Sequence, residues 1–297
     1  MLASLAPAAL DVAAALVNAD VALCLDRHTL SGEEYVRIQR SAIPDRLARS
    51  PLVRFSVVDA KGMAGSLFDD AAIAVFARSA TLSHVKLDAC MRLTDASLVA
   101  VAQCPHLTTF TCVESRRLRR PGRAVRSFTD AGVIALARAR NLQMVRLVDF
   151  EALTDDGLGA LKGLPLLRAI SLERCPLLTD GGIAALIARP TLRRICVMSC
   201  VGLTDATALA LARQDHLHTV TYGGHVVTDA GAIGLAGSAT LHGVRIWQAP
   251  LLTEAASVAM EASGLHTVCL IGNAAGCRTV KRGNLAAALR DQAAHTR

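Results

Sequence analysis

One short pattern recurs along most of this 297-residue chain at a nearly constant interval. It ends in an apolar residue followed by Thr-Asp or a related pair, and the apolar residue is Phe68, Leu93, Phe128, Leu153, Leu178, Leu203, Val227 or Leu252. Successive spacings are 25, 35, 25, 25, 25, 24 and 25 residues. A period of this size predicts a solenoid, in which each unit packs on its neighbours and extends one core.

Each repeat predicts a short strand followed by a helix. In the segment Leu167 to Asp180, the alternating apolar residues indicate a strand, and Thr179-Asp180 marks the start of a helix. Alternating strands and helices predict an α/β fold with parallel strands and with helices on one side of the sheet. We assign the acidic residues that begin the helices to helix capping; they are Asp95, Asp130, Asp155, Asp180, Asp205, Asp229 and Glu254.

The ends of the chain depart from the repeat, as terminal units of a solenoid usually do. Residues 1–50 are predicted to hold a capping helix and an atypical first repeat. Residues 51–273 hold the repeats, with an Arg-rich insertion at 116–126, and residues 274–297 form a C-terminal cap and tail.

Composition limits the functional classes. Apolar residues make up 52% of the chain and aromatic residues 3%, which fits a core of small aliphatic layers. No apolar run is long enough to predict a membrane span. Nine cysteines in a chain of this length favour a reducing compartment over a disulfide scaffold, so we expect a cytoplasmic protein, with the nucleus as the alternative.

The cysteines and the residues around them carry a family resemblance. Cys104-Pro105, Cys175-Pro176, Cys200 and Cys90 occupy the family's positions beside the Leu and Thr-Asp residues of each repeat. The pattern resembles the cysteine-containing leucine-rich repeat found in the substrate-binding arms of F-box proteins. The resemblance implies a leucine-rich-repeat horseshoe that binds a protein on its concave sheet, and it implies as an alternative a substrate-recognition or effector subunit of a ubiquitin ligase.

Outward-facing strand positions are the candidate partner-binding residues on the concave face. Five of the eight last outward positions are apolar, and they include the single tryptophan of the chain. Apolar residues beside arginines are typical of protein-binding surfaces. The predicted contacts are Lys86, Arg146, Glu173, Met198, Arg245, Trp247 and Ile271. The two arginines would pair with carboxylates and the apolar side chains would anchor the partner; alternatively, these strand ends are covered by their own loops.

The insertion is a second candidate site because it carries a net charge of six without an acid. Its arginines are Arg116, Arg117, Arg119, Arg120, Arg123 and Arg126. Such a loop could bind an acidic protein, a phosphorylated segment or nucleic acid, or serve as a nuclear address. It could equally be a tolerated, solvated insertion.

Three histidines each follow the first leucine of a strand, at intervals of 24 residues: His218, His242 and His266. Neighbouring repeats would stack them roughly 5 Å apart. We interpret this column as a solvated basic edge, with a metal site or a pH-responsive ridge as the alternative. No motif predicts catalysis, a cofactor or a metal, so the expected protein is a non-catalytic scaffold that is monomeric in isolation.

Overall fold

The structure of the chain is a computed structural model that describes residues 22–26, 54–58, 70–88, 93–114, 128–224, 226–271 and 280–281. The predicted capping helix, the Arg-rich insertion and the predicted closing helix at residues 284–295 lie outside these ranges. The chain divides into two compact units, Met1–Leu167 and Arg168–Arg297.

From its second strand onward, the described part of the first unit alternates strands and helices. Its described elements are β1 (Ala22–Asp26), β2 (Arg54–Val58), α1 (Asp70–Phe76), β3 (His84–Asp88), α2 (Asp95–Val101), β4 (Thr109–Val113), α3 (Asp130–Leu136), β5 (Met144–Val148) and α4 (Asp155–Ala160), followed by a 3-10 helix (Leu161–Gly163). Strands β1 to β5 pair in parallel and in register, each with the next.

The second unit repeats the same alternation. Its described elements are β6 (Ala169–Glu173), α5 (Asp180–Ile187), β7 (Arg194–Met198), α6 (Asp205–Ala212), β8 (Thr219–Gly223), α7 (Asp229–Ala236), β9 (Gly243–Trp247), α8 (Glu254–Ala262), β10 (Thr267–Ile271) and β11 (Val280–Lys281). Strands β6 to β10 are parallel and in register. The short strand β11 pairs antiparallel with β10, so part of the predicted C-terminal cap extends the sheet.

The core of each unit lies between the sheet and the helices. The second and fourth residues of strands β3 to β10 are buried, as in Val145 and Leu147 of β5 or Ile195 and Val197 of β7. Helices contribute buried residues from one side, for example Leu211 of α6. Tyr222 occupies an inward strand position, where its hydroxyl donates to the carbonyl of Thr204 at 2.7 Å, and burial raises the pKa of this phenol.

Threonine, rather than aspartate, caps the helices, so the capping role predicted for the acidic residues is wrong. In α2, α3, α4, α6, α7 and α8 the Thr before the helix is the N-cap, and its hydroxyl accepts from the backbone N–H two residues on. The acidic residue that follows is the first residue of the helix. A negative charge at this position interacts favourably with the helix dipole.

The carboxylates of these aspartates join each repeat to the next. One oxygen of Asp130 accepts from the backbone N–H of Thr154 at 2.8 Å, and the other accepts from its hydroxyl at 2.6 Å. The same pair of bonds joins Asp70 to Thr94, Asp95 to Thr129, Asp180 to Thr204, Asp205 to Thr228 and Asp229 to Thr253. Within each unit, neighbouring repeats are therefore held together by strand pairing and by these Asp–Thr contacts at the start of the helix.

A left-handed residue ends several strands and turns the chain back toward the helix layer. The φ angles are 64° at Asp149, 52° at Arg174, 53° at Ser199 and 52° at Gln248. The residue that follows is buried in each case: Phe150, Cys175, Cys200 or Ala249. These turns, the in-register parallel strands and the helices confirm the predicted fold class, an α/β leucine-rich-repeat solenoid.

Candidate protein-binding surface

In the first unit, the outward strand positions bring together a small group of charged side chains. Lys86 and Arg146 lie in one row across β3, β4 and β5, with Thr111 between them. The ammonium of Lys86 is 3.8 Å from a carboxylate oxygen of Asp88. Burial raises the pKa of Asp88, although the charges of Lys86 and Arg146 act in the opposite direction. The predicted contacts Lys86 and Arg146 thus already interact with a carboxylate of their own unit.

In the second unit, strand pairing aligns the other predicted contacts in two rows. The first row is Ser171, Cys196, Thr221, Arg245 and Cys269, and the second is Glu173, Met198, Gly223, Trp247 and Ile271. Arg245, Met198 and Trp247 are half-buried, whereas Ser171, Gly223 and Cys269 are buried. The side chain of Ile271 lies outside the described part. The described side chains of the second row are therefore less exposed than an open binding face would be.

Gly223 lies between the two predicted apolar anchors, Met198 and Trp247, where there is no room for a side chain. A Cβ at this position would lie 2.2 Å from the carbonyl oxygen of Trp247 and 3.1 Å from the sulfur of Met198. The next residue, Gly224, has a φ of 151°, which a side chain would strain. Above this glycine pair, the hydroxyl of Ser199 donates to the side-chain oxygen of Gln248 at 2.9 Å. Met198 and Trp247 thus lie on either side of Gly223, at a strand end that only glycine fits.

Glu173, another predicted contact, is paired within its own repeat. The guanidinium of Arg174 donates to a carboxylate oxygen of Glu173. Arg174 is also the left-handed residue at this strand end. A partner that binds Glu173 would have to share it with this arginine.

An exposed apolar ridge lies beside the strand ends and was missed from the sequence. It consists of Leu177, Val201, Val226 and Leu251, which are 51%, 68%, 40% and 52% exposed and come from four consecutive repeats. All four lie in the loops that leave the strands for the helices. Leu177, Val226 and Leu251 each precede a second apolar residue that is buried, so the tandem apolar pair before Thr was the available signal. We call this set the loop ridge.

The turn cysteines have the structural role that the sequence predicts. Cys175 and Cys200 are buried under their loops, and their thiols donate to the carbonyls of Glu173 at 3.6 Å and Met198 at 3.5 Å. A hydrogen bond with Cys175 lowers the pKa of Cys200, against the effect of burial. Cys104 is buried elsewhere in the repeat, and burial raises the pKa of its thiol to about 11. Cys90 lies outside the described residues.

The histidine column forms as predicted. The ring centroids of His218 and His242 are 5.1 Å apart, and those of His242 and His266 are 5.8 Å apart. All three side chains are exposed. Within the described ranges, no group of three or more His, Cys, Asp or Glu side chains could hold a metal ion. The predicted basic edge therefore exists as a regular, solvent-facing row.

The six arginines of the insertion lie outside the described residues, so their role stays a prediction. No helix in the described ranges is both long enough and apolar enough to cross a membrane.

Comparison with known proteins leaves the family open. No family model and no curated protein matches the chain. Among solved structures, the chain is similar to one in the crystal structure of the Rad7 and Elc1 complex of yeast, with 19% identity over 85% of this chain and 74% of the other, and a TM-score of 0.45. It is similar also to internalin C2 of Listeria monocytogenes, with 18% identity over 80% and 90% of the two chains and a TM-score of 0.46. The fold assignment rests on the repeats of this chain itself.

Proposed function

We propose that this chain is a non-catalytic scaffold and that its second unit binds a protein partner at the strand ends that carry Met198, Arg245 and Trp247. The observation that carries the proposal is the loop ridge. Apolar side chains that are about half exposed in four consecutive repeats form the kind of surface that soluble proteins keep for interactions.

The ridge and the predicted contacts are continuous along the chain. Met198 ends β7 three residues before Val201, and Trp247 ends β9 four residues before Leu251. Half-buried Met and Trp side chains beside exposed Leu and Val side chains provide anchors with a wider apolar border. Hot spots of protein interfaces have this arrangement, with Trp and Arg over-represented among them.

The charges around the ridge indicate the chemistry of the partner. On the helix side the first helical residues are Asp180, Asp205, Asp229 and Glu254. The partner segment is therefore expected to combine apolar side chains with lysine or arginine. Arg245, in the row of outward strand residues, would donate to one carboxylate of the same partner.

Shifted pKa values among the described residues accompany structural roles, which supports a scaffold. Asp70 and Asp180 join repeats, and Cys104 and Tyr222 are buried and hydrogen-bonded. Asp88 belongs to the charged group of the first unit. A catalytic site would instead gather titratable groups in a cleft.

The test is quantitative affinity purification from native lysate, followed by direct binding of the recovered protein to purified variants. The first variant combines Trp247→Ala with Leu251→Ser. The control combines Ile233→Ser with Val258→Ser, which changes two residues on the helices whose exposure is similar to that of Leu251. A discrete partner that is lost with the first variant and kept with the control supports the proposal.

The proposal fails if both variants lose the same proteins, because nonspecific apolar adhesion would explain that result, or if neither loses any. A third variant that lacks residues 117–126 tests the alternative site. The ubiquitin-ligase role and the role of the Arg-rich insertion both depend on residues outside the described ranges, and they stay predictions.

A further inference from the structure

The opposite edge of the second unit, where the chain enters the strands, carries a column of basic residues. Its members stand one residue after the first leucine of five consecutive repeats: Arg168, Arg193, His218, His242 and His266. Arg168 and the three histidines are exposed, and Arg193 is half-buried. We call this set the basic column.

The backbone fixes the spacing of the column. The N–H of Arg193 donates to the carbonyl of Arg168 at 2.8 Å, and that of His218 donates to Arg193 at 2.8 Å. The N–H of His242 donates to His218, and that of His266 donates to His242, both at 2.9 Å. Because each residue of the column is bonded through its backbone to the next, the side chains are arranged before any ligand arrives.

The surroundings of the column are predominantly basic. The charged or titratable groups on the same loops and strand starts are Arg189, Arg194, Arg213, His216 and Asp215, with Glu261 near the end of α8. The guanidinium of Arg193 donates to the carbonyls of Leu192 and His216, both at 3.3 Å, and of Pro190. The edge therefore presents several positive charges beside two acids, Asp215 and Glu261, and it fits an anionic ligand.

The spacing of the imidazoles selects among anionic ligands. The two ring separations, 5.1 Å and 5.8 Å, lie on either side of the pitch of an α-helix, about 5.4 Å per turn. Side chains on one face of an extended peptide recur at about 6.6 Å, so they would lose register with the column after two of its residues. A helix with one carboxylate per turn stays in register with the three histidines.

We propose that the basic column is a docking site for an acidic α-helix of a partner protein, laid across the repeats with one Asp or Glu per turn facing each basic residue. The site is separate from the strand-end surface proposed above and does not depend on it. A neutral imidazole donates one N–H and a protonated one donates two.

The test uses the full chain and two synthetic peptides of about 18 residues, a length at which a helix can form. One peptide carries four glutamates on one face, at positions i, i+4, i+7 and i+11, and the other has the same composition with the glutamates distributed around the helix. Binding is measured by fluorescence anisotropy at about pH 6 and about pH 8, in about 50 mM salt to limit screening. We expect the one-face peptide to bind about tenfold more tightly, since several surface ion pairs form together.

Variants of the column separate its role from general charge. The triple variant His218→Gln, His242→Gln and His266→Gln is expected to bind the one-face peptide about tenfold more weakly at about pH 6. The triple His→Arg variant should keep the binding, and its fold is expected to persist because arginine already occupies the column at two positions. Arg213→Gln changes a charge on the same edge outside the column and should weaken binding less than about twofold.

Three results would overturn the proposal. Equal binding of the two peptides would show that charge alone decides the affinity, and an unaffected His→Gln variant would show that the column is not the site. A single-stranded RNA oligonucleotide serves as the third probe. If the RNA binds more tightly than the one-face peptide, and if its binding is lost in the same His→Gln variant, the column binds phosphates and the helix proposal is wrong.

Discussion

Replacing Asp180 by alanine removes an acceptor that serves three donors of the next repeat. The carboxylate accepts from the backbone N–H of Thr204 at 2.9 Å, from its hydroxyl at 2.7 Å, and from the hydroxyl of Thr207. The two donors of Thr204 lie at the surface, so water can replace the aspartate at a cost of roughly 0.5 kcal/mol each. Thr207 is 0% exposed, and its hydroxyl would lose this charged acceptor and keep only the Tyr222 hydroxyl as a partner, which costs roughly 1–3 kcal/mol. The expected loss in the free energy of unfolding is about 2–4 kcal/mol.

The assay is urea unfolding followed by the fluorescence of Trp247, the single tryptophan of the chain, which lies in the same unit. Asp205→Ala is the matched control. Asp205 accepts the same two bonds from Thr228, but the position that corresponds to Thr207 is Gly231, which has no hydroxyl to leave unsatisfied. The control should cost about 1 kcal/mol or less.

A double variant identifies the cause of the loss. Adding Thr207→Val to Asp180→Ala removes the buried hydroxyl at almost constant volume, so about 1 kcal/mol or more should be recovered. If Thr207→Val gives no recovery, or if Asp180→Ala and Asp205→Ala cost the same, the buried hydroxyl does not decide the energy and the reasoning is refuted.

Two further predictions concern the same contacts between repeats. Burial alone raises the pKa of Asp180, but hydrogen bonds from Thr204 and Thr207 outweigh it, and the pKa lies below its ordinary value. Its stabilisation is therefore full above about pH 4 and lost as the pH falls through the folded-state value, so acid titrations should show a steeper loss for wild type than for Asp180→Ala. In α4, Gly157→Ala should lower the free energy of unfolding by about 1–2 kcal/mol, because the new Cβ would lie 2.2 Å from a carboxylate oxygen of Asp130. In the same helix, the Cβ of Gly159→Ala would meet nothing within 4 Å, so this change should raise the free energy of unfolding by about 0.5–1 kcal/mol. If urea titrations show that both glycine variants change the free energy of unfolding in the same direction, this explanation is wrong.

The fold was predictable from the sequence because each inward position is constrained in the same way in every repeat. Leu172, Val197 and Ile246 are apolar, recur at the repeat period and are almost fully buried. The turn cysteines were predictable for the same reason, since the residue after each left-handed residue is buried.

The role of the aspartates was not predictable from one repeat considered alone. A Thr-Asp pair before a helix is a common capping pattern, and the sequence does not show that the carboxylate reaches the next repeat. In five repeats the residue three positions after the Thr carried a usable signal, whereas after Thr253 it is Ala256. In those five it is Ser97, Gly132, Gly157, Thr207 or Gly231, either a hydroxyl donor or a residue without a side chain.

The outward positions were predictable as positions but not as surfaces. Strand alternation correctly places Met198 and Trp247 in one row, yet their exposure depends on Gly223 between them and on the turns that follow each strand. The loop ridge was missed because alternation does not apply in a loop. Leu251 and Leu252 are equally apolar in sequence, and only the packing shows that Leu252 is the core residue.

The second unit has edges of opposite charge, and this follows from adding one repeat to the next. Each helix begins at the edge where the strands end, so the acidic residue that favours the helix dipole and holds the next threonine recurs there as a row. At the other edge the chain leaves each helix, and bases such as Arg189 and Arg213, together with the basic column, recur beside the negative helix ends. A preference worth a fraction of a kcal/mol in one repeat becomes a continuous surface over four or five. The same local physics that stabilises each helix therefore yields two surfaces suited to partners of opposite charge, an apolar and basic segment at the loop ridge and an acidic helix at the basic column.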